Sequence, residues 1–124
     1  MKLLRVSTAV IALLFSATVL AADSAPLKYA HGMLVDHAGM TVYTYDKDTP
    51  NSGKSACVAT CAKNWPPVMA QGTPSAPYSV VTREDGSKQL AHKGKPLYTF
   101  VKDKKAGDKT GDGVGGAWHV VAEE

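Results

Sequence analysis

Cysteine is scarce in this chain, with only Cys57 and Cys61 among 124 residues. Their spacing, CVATC, is neither the two-residue-spaced redox motif nor a haem attachment sequence, which needs a histidine directly after the second cysteine. Charge of one sign is lacking as well. Fourteen Lys and Arg face 11 Asp and Glu, and loss of Lys2 and Arg5 with an export segment would take the net charge from +3 to +1. The one basic cluster, Lys102, Lys104, Lys105 and Lys109, is threaded with Asp103, Asp108 and Asp112. It reads as a solvated turn, so no nucleic-acid partner is expected. There is no catalytic triad pattern, phosphate-cradling loop or dinucleotide fingerprint. DKKAGDKTGDGVGG also misses the alternating oxygen ligands and terminal glutamate of a calcium hand.

Long apolar runs are absent except at the start, where Val6 to Leu20 follows Lys2 and Arg5 and leads to Val19-Leu20-Ala21. These are the three parts of an export signal. Residues 1–21 are therefore expected to be removed, leaving 22–124 as one mature domain in the periplasm or secreted. No cysteine precedes Cys57 to accept a lipid, so no stable membrane insertion is expected after cleavage. In an oxidising compartment an i,i+4 pair on one helical turn brings Cα atoms to about 6 Å, and a Cys57–Cys61 disulfide is the expectation, with a reactive or metal-binding thiol pair as the rival reading. The loop it closes is short, which limits its contribution to roughly 1–3 kcal/mol.

What is present is a strand-and-turn chain. Tyr29 to Val35 and Met40 to Tyr45 read as strands on either side of an Asp36-His37-Ala38-Gly39 turn. In MTVYTY, period-two alternation sends Val42 and Thr44 one way and Thr41, Tyr43 and Tyr45 the other. Pro50, Asn51 and Gly53 predict a long turn, and Ser55 reads as the cap of a helix over Ala56 to Lys63. Pro66 and Pro67 would end that helix by Trp65. Tyr78 to Arg83 and Lys88 to His92 flank an Asp85-Gly86 hairpin turn. Pro96 opens a strand to Val101, and Ala117 to Val121 reads as the last strand.

The chain also repeats itself. HAGMTVYTYDKD from His37 returns as HKGKPLYTFVKD from His92. His37 with His92, Gly39 with Gly94, Tyr43 with Tyr98, Tyr45 with Phe100 and Asp48 with Asp103 are each 55 positions apart, and Trp65 with Trp118 are 53 apart. Two units, about 29–68 and 78–121, are each too small to bury an apolar face alone and should share one core. The predicted fold is all-β or mainly β: a compact antiparallel domain of two pseudo-symmetric repeats, with one short helix or turn carrying the disulfide.

Several residues are candidates for chemistry. Tyr43 with Tyr45, and Tyr98 with Phe100, share strand faces as core contacts or as the wall of an aromatic cleft between the repeats, and Trp65 and Trp118 are candidates for a binding surface. Asp48 and Asp103 stand just past their strands, placed either to fasten the following loops or to act as a general-acid pair. His31, Met33, His37, His92 and His119 mix imidazole with thioether, the ligand set of copper. His31 and Met33 would share a strand face, and His37 and His92 are repeat equivalents. The alternative is ordinary surface and hairpin histidines, with no cofactor.

With Tyr43, Tyr45, Asp48 and Tyr98, Phe100, Asp103 set side by side, the chain resembles the family of predicted lipoproteins with a Tyr-x-(Phe/Trp/Tyr)-x-x-Asp motif, also described as a secreted repeat of unknown function. The phrases CAKNWPP, DGSKQ, GKPLY and GDGVGGAWHV carry the likeness from Tyr29 to Val121. The resemblance implies an exported bacterial protein and a two-copy β architecture, and names no reaction. Two features depart from it: the signal lacks a lipid-accepting cysteine, and Leu90 and His92 stand where relatives often carry an aromatic pair. The expected function is a non-enzymatic envelope module meeting another envelope protein or a small ligand. A copper- or haem-associated electron-transfer protein is the first alternative, and a hydrolase or inhibitor the second.

Overall fold

The computed structural model describes residues 27–124, and the expected export segment 1–21 lies outside them. The chain forms a mainly β domain of short antiparallel strands: β1 (Lys28–Ala30), β2 (Met33–Val35), β3 (Tyr43–Tyr45), β4 (Tyr78–Thr82), β5 (Lys88–His92), β6 (Lys95–Pro96) and β7 (Trp118–Val120), with a short α-helix, α1 (Thr60–Asn64), and a 3-10 turn at Val114–Gly116. They pair as β1 with β2, β3 with β7, and β4–β5–β6.

The expected strand from Tyr29 to Val35 is in fact a hairpin. His31 and Gly32 both have positive φ, 56° and 79°, and fold β2 back on β1 so that Tyr29 faces Leu34. Such a pair of φ values makes the tight two-residue turn that matches strand twist. The helix is also shorter than expected. It begins after Ala59, Cys57 lies ahead of it, and Ser55 makes no cap. The Cys57–Cys61 disulfide is present, with Cα atoms 5.2 Å apart.

The two repeats meet at a pseudo-twofold axis between Tyr43 and Tyr98. Each backbone N–H donates to the other residue's carbonyl, at 2.7 and 2.9 Å. Around this pair the contacts come in twos. Val42 N–H donates to Leu34 O as Leu97 N–H does to Leu90 O, and Asp46 N–H donates to Ala117 O as Val101 N–H does to Asn64 O.

The tryptophan-bearing segments are exchanged between the halves. The strand after Trp118, in the second repeat, pairs with β3 of the first, and Leu34 N–H donates to Val121 O at 2.8 Å. Reciprocally, the segment after Trp65 lies beside Tyr98 and β5, with Leu90 N–H donating to Val68 O at 2.7 Å. Each repeat therefore completes the other's sheet.

Alternation along these strands divides the interior in two. Leu34, Val42, Leu90 and Leu97 gather with Leu27 on one side, while Tyr43, Tyr98, Trp65, Trp118 and Cys57 gather on the other. The aromatic side is closed by Gly111. A Cβ there would come within 2.7 Å of the Trp65 ring and 2.9 Å of Phe100. Replacing Gly111 by Ala should destabilise the fold by about 1–3 kcal/mol through overpacking, measured as a lower denaturant midpoint at unchanged slope.

Candidate functional site

The motif residues converge on the axis. β3 sends Tyr43 inward and the backbone turn after it returns Asp48 beneath the sheet, with Asp48 N–H donating to Tyr45 O; Asp103 N–H donates to Phe100 O in the same way. The hydrogen bonds then cross over. Tyr43 Oη donates to Asp103 Oδ2 and Tyr98 Oη donates to Asp48 Oδ2, both at 2.6 Å. Each repeat's phenol is thus held by the other repeat's carboxylate. The second carboxylate oxygens fix the long loops: Asp48 Oδ1 accepts the Ala56 N–H at 2.6 Å, and Asp103 Oδ1 accepts the Thr110 N–H at 2.9 Å and its hydroxyl.

Four rings stack across the same axis in the order Phe100, Trp65, Trp118, Tyr45, with centroids 3.9, 3.8 and 4.1 Å apart and the two indoles 2° from parallel. Trp65 and Trp118 are only 6% and 5% exposed. They are interior groups, which corrects the expectation of a binding surface at these residues: each indole is covered on both faces by neighbouring rings.

The copper set does not assemble. His31 sits in the exposed β1–β2 turn, whereas Met33 is a buried strand residue, so the shared strand face is lost with the straight strand. His37 lies in an exposed turn of one hairpin, while His92 is buried, paired with Tyr78 and Lys95. Burial, and then neighbouring Lys93, hold the His92 imidazole below its usual pKa. His119 Nε2 lies 2.8 Å from the exposed Asp46 carboxylate. Among the described residues no group of three or more His, Cys, Asp or Glu is placed to hold a metal ion. The aspartates of the second loop also point to separate tasks, Asp108 binding the Lys104 and Lys105 amides and Asp112 the Val120 amide.

The two motif sites differ in their further partners. Tyr98 Oη also lies 2.6 Å from Ser55 Oγ, and Arg83 donates to Ser55 Oγ, Gln89 Oε1 and Cys57 O at 3.0, 2.8 and 2.7 Å. Tyr43 Oη instead accepts the Gly111 N–H at 3.1 Å. Ser55 and Thr110 obey the same 55-residue offset as the motif and were open to discovery from it. Arg83 falls opposite Lys28 at that offset, but Lys28 makes none of the bonds that Arg83 makes, so the repeat does not mark its role.

Burial raises the pKa of the Asp48 carboxyl, against hydrogen bonds from Tyr98 and Ala56 and the nearby Arg83 charge. Burial, followed by the carboxylate bond, pushes both Tyr43 and Tyr98 well above the usual phenol range.

A family described as a secreted repeat of unknown function matches the chain twice, at residues 28–69 and 79–122. The protein belongs to that family of secreted lipoprotein-type repeats and is exported. No curated protein and no solved structure matches it.

Two predictions follow from the crossed bonds. In Asp48→Asn the amide can donate to Tyr98 Oη while that hydroxyl turns to Ser55 Oγ, so the loss should be about 1 kcal/mol or less. In Asp103→Asn the Tyr43 oxygen already accepts Gly111, its own proton has no second acceptor, and the loss should reach about 2–3 kcal/mol in equilibrium unfolding. The raised phenol pKa values also set an alkaline limit. Their contribution is fully present below the unfolded phenol value near 10 and is lost as pH rises above it. Stability should fall there by up to about 2.7 kcal/mol per pH unit for two phenols, at about 1.36 for each proton. Phenolate absorbance should show Tyr43 and Tyr98 ionising only as the protein unfolds.

Proposed function

We propose that the protein is a non-enzymatic binding module of the cell envelope, in which the repeated motif is the frame and the loops and hairpins outside it meet the partner. One observation carries this reading: the buried phenols of Tyr43 and Tyr98 and all four motif carboxylate oxygens are engaged by groups of the protein itself. A general acid or nucleophile must present a reacting atom to substrate within hydrogen-bond reach. Here those atoms face the partner repeat and the loop amides.

Among the described residues no helix is long and apolar enough to cross a membrane. Contact with the envelope on this reading is through surface recognition by the folded domain, with the partner an envelope protein or a small ligand.

The test is complementation of a deletion strain, scored by competitive growth, with Asp48→Asn and Asp103→Asn each expressed to wild-type level and checked for folding by thermal melting. Every folded variant should restore growth, because the amide keeps the shape of the frame. A folded Asp48→Asn protein that fails to complement would identify an acid–base role and overturn the reading.

A further inference from the structure

The pseudo-symmetry isolates one place where the halves differ. In the first repeat a two-residue turn at His31 and Gly32 ends the β1–β2 hairpin. In the second, β4 and β5 each run for five residues and are joined by Arg83 to Ser87, so this hairpin reaches the disulfide loop, where Arg83 binds the Cys57 carbonyl. Between the overhanging hairpin and α1 lies an open groove of about 380 Å³. That is large enough for one or two side chains of a ligand.

The floor of the groove is apolar, formed by Val58, Ala59, Ala62, Pro67 and Met69, and its lip carries Arg83, Glu84, Asp85 and Ser87. Val58 and Met69 are 38% and 48% exposed, which makes them two of the few large apolar side chains left on the surface. The position equivalent to Met69 in the other half is Ala122: Met69 bridges Gln89 as Ala122 bridges Met33. The Arg83 guanidinium is tied to Ser55, Gln89 and Cys57, whereas Glu84 has no hydrogen-bonded partner among the described residues. The Ser87 hydroxyl and amide hold the Asp85 carboxyl below its usual pKa, and on the lip two carboxylates face the single Arg83 cation, whose guanidinium is already occupied.

Two backbone features add to this. Ala59 has φ 56° and ψ −125°, a positive-φ conformation outside the left-handed helical region that is rare for any residue but glycine and that recurs at ligand-binding positions. Met69 forms a bridge in which the flanking bonds, Ala70 N–H to Lys88 O and Leu90 N–H to Val68 O, use the neighbouring residues. The Met69 N–H and C=O therefore face away from β5, and they have no partner among the described residues.

We infer that this groove binds an extended peptide segment carrying an apolar side chain next to a lysine or arginine. The apolar group would lie against Val58, Ala62 and Met69, where the thioether adapts its shape to the guest. The cation would meet Glu84 and Asp85, and the peptide backbone would pair with the free Met69 edge, as in strand addition. Charge complementarity selects the cation, and the open backbone edge selects a peptide over a lipid-like amphiphile. The inference rests on the reading of the protein as a binding module.

The experiment is amide chemical-shift titration of the whole mature protein, disulfide intact, with three probes: acetyl-Gly-Leu-Lys-Gly-amide, the same peptide with Glu for Lys, and decyltrimethylammonium. The lysine peptide should move the amides of Val58, Ala62, Met69, Glu84 and Asp85. Its affinity should fall about fivefold or more in Glu84→Gln/Asp85→Asn, which removes the charge and keeps the turn acceptor. Equal binding of the glutamate peptide, equal binding by the double variant, shifts centred elsewhere, or tighter binding of the amphiphile would each overturn the inference. If the groove fails to bind while Asp48→Asn still complements the deletion, the module reading stands and its contact surface lies elsewhere.

Discussion

The structure depends on the crossed pair of hydrogen bonds in which each repeat's tyrosine is held by the other repeat's aspartate. A phenol buried at 0% exposure must find an acceptor, and an ionised carboxylate taken out of water must find donors. Meeting both needs across the axis makes neither motif complete in its own repeat. The stacked indoles and the exchanged strands have the same property, so hydrogen bonding, aromatic packing and sheet pairing all bind the two halves into one cooperative unit. This explains how so small a domain, with strands of two to five residues, closes an interior.

Much of this architecture could be read from the residues. The alternation in MTVYTY gives the division of Val42 from Tyr43 and Tyr45, and the Asp85-Gly86 pair gives the β4–β5 hairpin. The His31-Gly32 turn was hidden because apolar residues continue on both sides of it, and histidine is an uncommon occupant of positive φ. The exchange was hidden for a deeper reason. A repeat shows which residues are equivalent, but pairing within a copy and pairing between copies give the same pattern of alternation. Only geometry distinguishes Tyr43 bound to Asp48 from Tyr43 bound to Asp103. The histidine and methionine set failed for the converse reason: residue chemistry alone does not supply convergence, and a single turn moved His31 off the strand.

Symmetry also separates frame from function. Residues that recur between the halves, from Leu34 and Leu90 to Ser55 and Thr110, hold the fold together. The disulfide, Arg83, Met69 and the longer second hairpin do not recur, and they cluster on one flank. A duplicated unit whose first duty is to complete its twin leaves the unmatched flank as the place where new recognition can arise at little cost to folding.

The exchanged tryptophan segments carry a further implication. Because the crossed tyrosine–aspartate bonds and the indole stack are made between halves, the connection near Gly72 to Pro77 decides whether those halves belong to one chain or to two. A connection too short or too stiff to bring its own two repeats together would favour the repeats of two chains completing each other about two such axes, populated according to protein concentration.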